Sequence, residues 1–193
     1  MKVKIAALIP VKKYTESKAR LQNILSKDKR TLISKLMAER TVSELIKSNM
    51  FYSITIVTND PELNINGTNS FKSHSSLNKA LQEAIENLPQ VDKVMIIHSD
   101  LPMINSKDIK NLLKYAKSNK LLIVSDSLEF GTNCLIYDSN CHFNLCFGLN
   151  SYQLFINEFQ DQGIKFTKHN CKSIEQDLDS EEDYFKLISY LKN

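Results

Sequence analysis

The residues best placed to do chemistry are aspartates that follow apolar or extended segments. The plainest case is the run Lys93-Val94-Met95-Ile96-Ile97-His98-Ser99-Asp100-Leu101-Pro102. Its four successive apolar residues, Val94 to Ile97, predict a strand buried on both faces, the pattern of a parallel sheet. Asp100 then falls past the strand's carboxyl end, where open α/β sheets place their ligands. Pro102 fixes the chain there and favours an extended Leu101. A carboxylate in that place suits Mg²⁺ on a nucleotide's phosphates. A second acidic pair, Asp177 and Asp179, comes much later, and its alternation puts both on one side of an extended segment. Two separated carboxylate sites able to share one metal point to phosphate chemistry. The plainer alternative is that Asp177 and Asp179 only precede and cap the last helix.

Cations leave the first strand toward the same edge. The loop Pro10 to Leu21 carries Lys12, Lys18 and Arg20, and Gly67 is the first glycine of the chain. Neither a G-x-G-x-x-G turn nor a P-loop can therefore follow this strand. Side-chain cations would have to replace a backbone cradle for a triphosphate; otherwise this is a solvated basic loop. Gly131 and Gly148, two of only four glycines, are places where backbone can approach a phosphate. No Ser-His-Asp or Cys-His arrangement stands out. None is needed if the nucleophile is itself a phosphate, whose second pKa of about 6 leaves it anionic at neutral pH. His98 is expected to be a hydrogen-bonded core residue rather than a metal ligand.

These groups need a scaffold, and strand and helix patterns alternate along the chain. Strands are expected at Val3–Val11, Ser53–Thr58, Val94–Ile97, Leu121–Ser125, Asn133–Tyr137 and Ile164–Thr167. Helices are expected at Lys29–Lys47, with Leu32, Leu36, Val42 and Leu45 on one face, and at Leu77–Leu88. Others follow from an N-cap at Ser106 to about Lys117, over Ser151–Gln160 ahead of Gly163, and over Ser180–Leu191. Asn64–Ser75 reads as loop. The order predicts one α/β domain over residues 1–193, a three-layer sandwich with a mainly parallel sheet.

Composition narrows the classes. With 193 residues, 42% hydrophobic content and a net charge of +3, the chain gives no charge-based reason to expect nucleic acid or a membrane surface. The run Ile5–Ile9 is too short for a membrane span or a signal core, so a cytoplasmic protein is expected. The cysteines, Cys134, Cys141, Cys146 and Cys171, form no C-x-x-C pair and read as free thiols rather than as a zinc site.

Several segments together resemble one family. Ile9-Pro10-Val11-Lys12 with Lys18-Ala19-Arg20-Leu21 is similar to the opening of the 2-phospho-L-lactate and phosphoenolpyruvate guanylyltransferases of coenzyme F-420 biosynthesis. So are Leu77-Asn78-Lys79-Ala80-Leu81, Asp100-Leu101-Pro102, Gly131-Thr132-Asn133, Phe147-Gly148-Leu149-Asn150-Ser151 and Asp177-Leu178-Asp179-Ser180-Glu181-Glu182-Asp183. They occur in the family's order across almost the whole chain. The resemblance implies a nucleotidyltransferase-like Rossmann-type fold with GTP as donor and Mg²⁺ on Asp100, Asp177 and Asp179. It assigns Pro10, Lys12, Lys18, Arg20, Asn78 and Asp100 to the nucleotide, with Lys12, Lys18, Arg20 and Asp100 catalytic. Thr132, Asn133, Gly148 and Ser151 would hold a small phospho-acid, Gly148 and Ser151 ahead of a helix whose first amides can receive an anion. The chain departs from the pattern at Ser76, where glycine is usual, at His98-Ser99, where small residues are, and at Ser180, where threonine is more frequent.

Other readings are a nucleotidyltransferase acting on a sugar phosphate or a molybdenum-cofactor precursor, a metal-dependent glycosyltransferase, and a non-catalytic nucleotide-binding module. The first would bring a glycine-rich loop after strand one, and the last would have lost its carboxylates. The partners implied are small molecules, and a homodimer is compatible with the chain. Its sequence does not choose among 2-phospho-L-lactate, phosphoenolpyruvate and 3-phosphoglycerate.

Overall fold

The computed structural model describes residues 3–191. Seven strands form one sheet in the order β3-β2-β1-β4-β6-β5-β7. They are β1 (Ile5–Val11), β2 (Ser53–Thr58), β3 (Asn69–Lys72), β4 (Lys93–Ile97), β5 (Leu121–Ser125), β6 (Thr132–Asp138) and β7 (Thr167–Lys168). β6 alone runs antiparallel to its neighbours β4 and β5; the other pairs are parallel. Four α-helices connect strands, α1 (Lys27–Ser48), α2 (Leu77–Glu86), α3 (Ser106–Ser118) and α4 (Ser151–Asp161), and two follow β7, α5 (Lys172–Glu175) and α6 (Glu181–Leu191).

The apolar runs explain the layering. β1, β4 and β5 are buried along nearly their whole length because helices cover both faces. One face packs Ala38, Val42 and Leu45 of α1, Ile109, Leu112 and Leu113 of α3, and Ile174 of α5. The other packs Ala80, Leu81 and Ala84 of α2 with Phe155 and Phe159 of α4. A third cluster joins Leu21, Leu25, Met37 and Leu178, with Tyr184 and Leu187 of α6 against it. That small core clamps the acidic segment near residue 178 onto the loop after β1. No helix among the described residues is long and apolar enough to cross a membrane.

Several expectations are corrected. Leu32 and Leu36 are each 54% exposed; the buried stripe of α1 runs through Met37, Ala38, Thr41, Val42 and Leu45. Residues 69–72 form an edge strand rather than loop. α3 is capped by Asn105, whose side chain accepts from the Asp108 amide at 2.9 Å, and Ser106 is already its first residue. The expected strand at 164–167 is reduced to Thr167–Lys168.

Candidate active site

The carboxyl ends of β1, β2 and β4 open onto a cavity of about 510 Å³. Its walls include Pro10, Lys12, Tyr14 and Lys18 after β1, Thr58 and Asn59 after β2, Ser73–Ser75 after β3, and His98–Asp100 after β4. Asp179 closes one side. Hydrogen bonds hold these strand ends in place. The Asn59 side-chain oxygen accepts from the Lys13 amide at 3.1 Å, and the Ser99 hydroxyl donates to the Pro10 carbonyl at 3.2 Å.

The charged centre is built around Lys18. Its backbone is left-handed, with φ 55°, an uncommon conformation for a residue with a side chain. Its ammonium lies 2.5 Å from Asp100 and 3.4 Å from Asp179, and the side chain is only 6% exposed. Arg20, itself 70% exposed, holds the other Asp179 oxygen at 2.7 Å. The Leu178 amide donates to the Asp100 carbonyl at 3.1 Å, so the two acidic segments are joined through the backbone. Burial works against the Lys18 ammonium, but Asp100, with Asp179 and Asp177 behind it, raises its pKa overall. Burial likewise opposes the Asp100 carboxylate, and Lys18 overcomes it, holding Asp100 below the usual range.

Asp177 makes no ion pair among the described residues, and Lys18 acts on it only weakly. Burial first, then Asp100 and Asp179, push its carboxyl up to about 7. The folded protein thus keeps a proton that the unfolded chain releases near pH 4, and this group's favourable contribution is complete only below that pH. It is lost as pH rises through 7. Asp177→Asn is therefore expected to leave Tm unchanged near pH 4 and to raise it at pH 8, by the equivalent of about 2 kcal/mol. Thermal melts in chelator at the two pH values measure this, and a Tm gain equal at both would refute it.

The donor chemistry fits a hard divalent cation. Asp100 Oδ1 is buried and unpartnered among the described residues, and Asp177, pushed up to about 7 by burial and then by Asp100 and Asp179, would be relieved by a cation beside it. Among the described residues, however, no three such side chains are grouped as a ready-made metal cage. The Lys18 ammonium lies between Asp100 and Asp179 instead.

The remaining expected residues are distributed unevenly. Pro10 and Lys12 line the cavity, with Lys12 exposed and 3.8 Å from Glu16. Arg20 acts through Asp179 and is not part of the cavity wall. Asn78 does not face the cavity. Its amide nitrogen donates to the Phe147 carbonyl at 3.0 Å and its oxygen accepts from the Phe147 amide at 2.9 Å. It is a tie that holds the loop before α4. Asn78→Ala should lower stability by about 2 kcal/mol, two partly buried hydrogen bonds' worth, in a urea melt; a loss under 0.5 kcal/mol would contradict it.

The four residues assigned to an acceptor stand beside the cavity rather than in its wall. The Tyr152 amide donates to the Phe130 carbonyl at 3.1 Å, which brings the start of β6 against the start of α4. Thr132 is fully buried, and its hydroxyl has no partner among the described residues. Gly148 has φ +135° and open space where a Cβ would point. Ser151 is buried, and its amide is already bonded to the Gly148 carbonyl at 3.2 Å. With the Tyr152 amide also engaged, two of the first amides of α4 are not free for an anion. Asn133 is a bulged residue, since Val124 pairs with Cys134 and Ser125 with Thr132. Its side chain donates to the carbonyls of Ile174 at 2.9 Å and Glu175 at 3.4 Å. Asn133 thus spends its amide nitrogen on positioning the segment that leads to Asp177. Gly131 also has an internal reason: a Cβ there would lie 2.8 Å from Asp126 Oδ2, which accepts from the Gly131 amide.

Sequence reasoning overlooked Tyr14, Ser73–Ser75 and the exposure of His98 to the cavity. The imidazole of His98 is half-buried, packs 5.6 Å from the Phe147 ring, and makes no hydrogen bond within the described residues. Burial lowers its pKa, keeping it neutral at pH 7.

A mainly parallel sheet with carboxylates and a buried lysine at its carboxyl edge is the nucleotidyltransferase-like architecture. Solved structures agree. The 4-diphosphocytidyl-2C-methyl-D-erythritol synthase of Anaerococcus prevotii is similar with a TM-score of 0.63, at 13% identity and full coverage of both chains. A CMP:2-keto-3-deoxy-manno-octonic acid synthetase complexed with CTP gives 0.65 at 12% identity, covering 98% of each. Within that class the chain belongs to the family described as "Guanylyl transferase CofC like", whose model matches residues 5–191. Among curated relatives, the phosphoenolpyruvate guanylyltransferase of Thermobaculum terrenum is 29% identical over 96% of this chain and 83% of its own. The 2-phospho-L-lactate guanylyltransferase of Methanosphaera stadtmanae is 28% identical over 98% and 86%.

Proposed function

We propose that this protein transfers the guanylyl group of GTP to the phosphate of a small phospho-acid, 2-phospho-L-lactate or phosphoenolpyruvate, in coenzyme F-420 biosynthesis. A phosphate oxygen of the acceptor attacks the α-phosphorus of GTP, the bond to the β-phosphate oxygen breaks, and pyrophosphate leaves. The observation that carries this reading is the buried Lys18 ammonium among three carboxylates at one end of a nucleotide-sized cavity. The names of the relatives supply the guanine and the acceptors.

Lys18 neutralises the transferring group, with Lys12 available at the cavity mouth for the outgoing phosphates. Asp100, Asp177 and Asp179 would hold Mg²⁺, which when bound offsets triphosphate charge and orients the two anions. On the acceptor side the candidate groups are the unpartnered Thr132 hydroxyl at the start of β6, the open flank of Gly148 next to the Phe147 that Asn78 pins, and Ser151 at the start of α4. The neutral His98, two residues before Asp100, shares the cavity wall with it.

Incubation with GTP and Mg²⁺ and each of 2-phospho-L-lactate, phosphoenolpyruvate and 3-phosphoglycerate in turn tests the reading by product mass. A guanosine diphospho-acid with release of pyrophosphate is expected; product from ATP or CTP in preference to GTP would overturn it. Gly148→Val should raise the acceptor KM tenfold or more, because a β-branched residue is strained at that φ and fills the open flank. GTP binding should survive; loss of GTP affinity with acceptor affinity retained would reverse the two halves of the site.

A further inference from the structure

We propose that His74 is the residue that reads the nucleobase, with Glu83 as the positioning residue that holds it there through Ser73 and Ser75. This rests on reading the cavity as the nucleotide site. The chain between β3 and α2 is short and has no glycine, yet it is tightly fixed. The Ser73 amide donates to the Thr58 carbonyl at 2.9 Å, which fastens the segment to the end of β2. The Ser73 hydroxyl donates to one Glu83 oxygen at 2.7 Å and the Ser75 hydroxyl to the other at 2.8 Å. The Ser75 amide in turn donates to the Ser73 hydroxyl at 3.1 Å. Both serine donors hold the Glu83 carboxyl below its usual range, so it stays ionised as their acceptor.

Alternation does the rest. In an extended segment neighbouring side chains point to opposite sides, so fixing Ser73 and Ser75 onto Glu83 turns His74 away from α2. His74 is exposed and lines the cavity together with Val57, Thr58 and Asn59. Neither its ring nor its peptide group is hydrogen-bonded within the described residues. It therefore presents an aromatic face plus an unspent N–H and C=O. A purine needs those features: a flat partner for its ring and donors and acceptors for its edge.

The location is consistent with that role. β3 and β4 are separated by three strand spacings in the sheet, about 14 Å at ~4.8 Å each. A base beside His74 and phosphates beside Lys18 and Asp100 would thus span the cavity end to end. Because the loop is already ordered by Glu83, little conformational entropy is lost when the base docks. Where this chain has Ser76 in place of a glycine, side-chain hydrogen bonds rather than backbone freedom set the loop's shape.

Equilibrium binding of GTP and of inorganic tripolyphosphate to the whole protein tests the assignment. His74→Ala and Glu83→Ala should each weaken GTP by about 5- to 100-fold, the range of base stacking on an aromatic side chain. Tripolyphosphate affinity should be unchanged in both, and Tm unchanged in His74→Ala; Glu83→Ala also gives up the two serine hydrogen bonds and should melt somewhat lower. His74→Phe, which keeps the stacking face, and Glu83→Gln, which keeps a carbonyl acceptor, should stay within about threefold of the parent, a margin well under that stacking range. GTP affinity unaltered in His74→Ala would overturn the proposal while leaving the nucleotide site standing. Equal losses for GTP and tripolyphosphate would overturn it too, by making the loop a phosphate contact. A parent protein that binds GTP no more tightly than tripolyphosphate would instead bring down the reading of the cavity itself.

Discussion

Asp100→Asn is expected to lower the rate of guanylyl transfer by on the order of 10³-fold while the protein remains folded. The change is nearly isosteric and removes one charge from a cluster that carries an excess of negative charge. Lys18 keeps Asp179 at 3.4 Å and Asp177 nearby, so its ammonium is not abandoned. Asp177 loses one of the two carboxylates that raise its pKa, which offsets part of the lost Lys18–Asp100 pair. Stability should therefore change by no more than about 1 kcal/mol, the order of one hydrogen bond, whereas turnover collapses. Steady-state rates with GTP and phospho-acid, set beside a thermal melt, separate the two effects. Full activity in this variant would remove Asp100 from the mechanism.

Legibility of the sequence followed the strength of the local signal. β4 and the carboxylate beyond it were readable because a four-residue apolar run has few other uses, and Asp100 sits three residues past its end. β3 was not, because Asn69, Ser70 and Lys72 belong to an edge strand with a single neighbour and show no apolar alternation. The direction of β6 was equally hidden, since an antiparallel buried strand carries the same residues as a parallel one. In α1 two of the leucines were misleading: Val42 and Leu45 are buried as expected, but small residues, Ala38 and Thr41, complete the buried face while Leu32 and Leu36 face outward.

At the site, residue type was visible but partnership was not. Asn78 and Asn133 have amides that could serve a ligand, and each is occupied by backbone 69 or 41 residues away. Gly131 could have been a place for phosphate approach, and it accommodates the Asp126 carboxylate instead. The Glu83 tie to Ser73 and Ser75 lies within a polar stretch whose composition resembles any loop. Conversely, Lys18 was legible only as one of several cations. What distinguishes it from Lys12 is burial: its side chain is 6% exposed against 61% for Lys12. Packing of Leu178 under the loop after β1 produces that difference, and it is a tertiary event.

Lys18→Met should therefore have consequences that no substitution at Lys12 shares. Turnover is expected to fall by 10³-fold or more, the scale on which a single cation aimed at a transferring phosphoryl group matters. The effect on stability should depend on pH in a defined sense. In the parent protein Lys18 holds Asp100 below its usual pKa, so the pair stabilises above the unfolded value near 4 and is lost as pH falls through the folded one. Without Lys18, burial and the neighbouring carboxylates act alone, and Asp100 and Asp177 both favour protons in the folded state. The variant's deficit should shrink only as pH falls below 4, through the folded pKa of Asp100, and should grow progressively toward pH 8, where an unpaired partly buried charge costs about 3 kcal/mol. Lys18→Arg should recover much of that stability but little of the rate, because a planar fork cannot occupy the narrow position between Asp100 and Asp179 as a point charge does. Melts across that pH range with and without Mg²⁺ complete the test. If the three carboxylates share a cation site, Mg²⁺ should narrow the deficit of Lys18→Met at pH 8 without restoring turnover. A deficit that is flat with pH would show that Lys18 is held by packing alone and that the carboxylates do not act as one cluster.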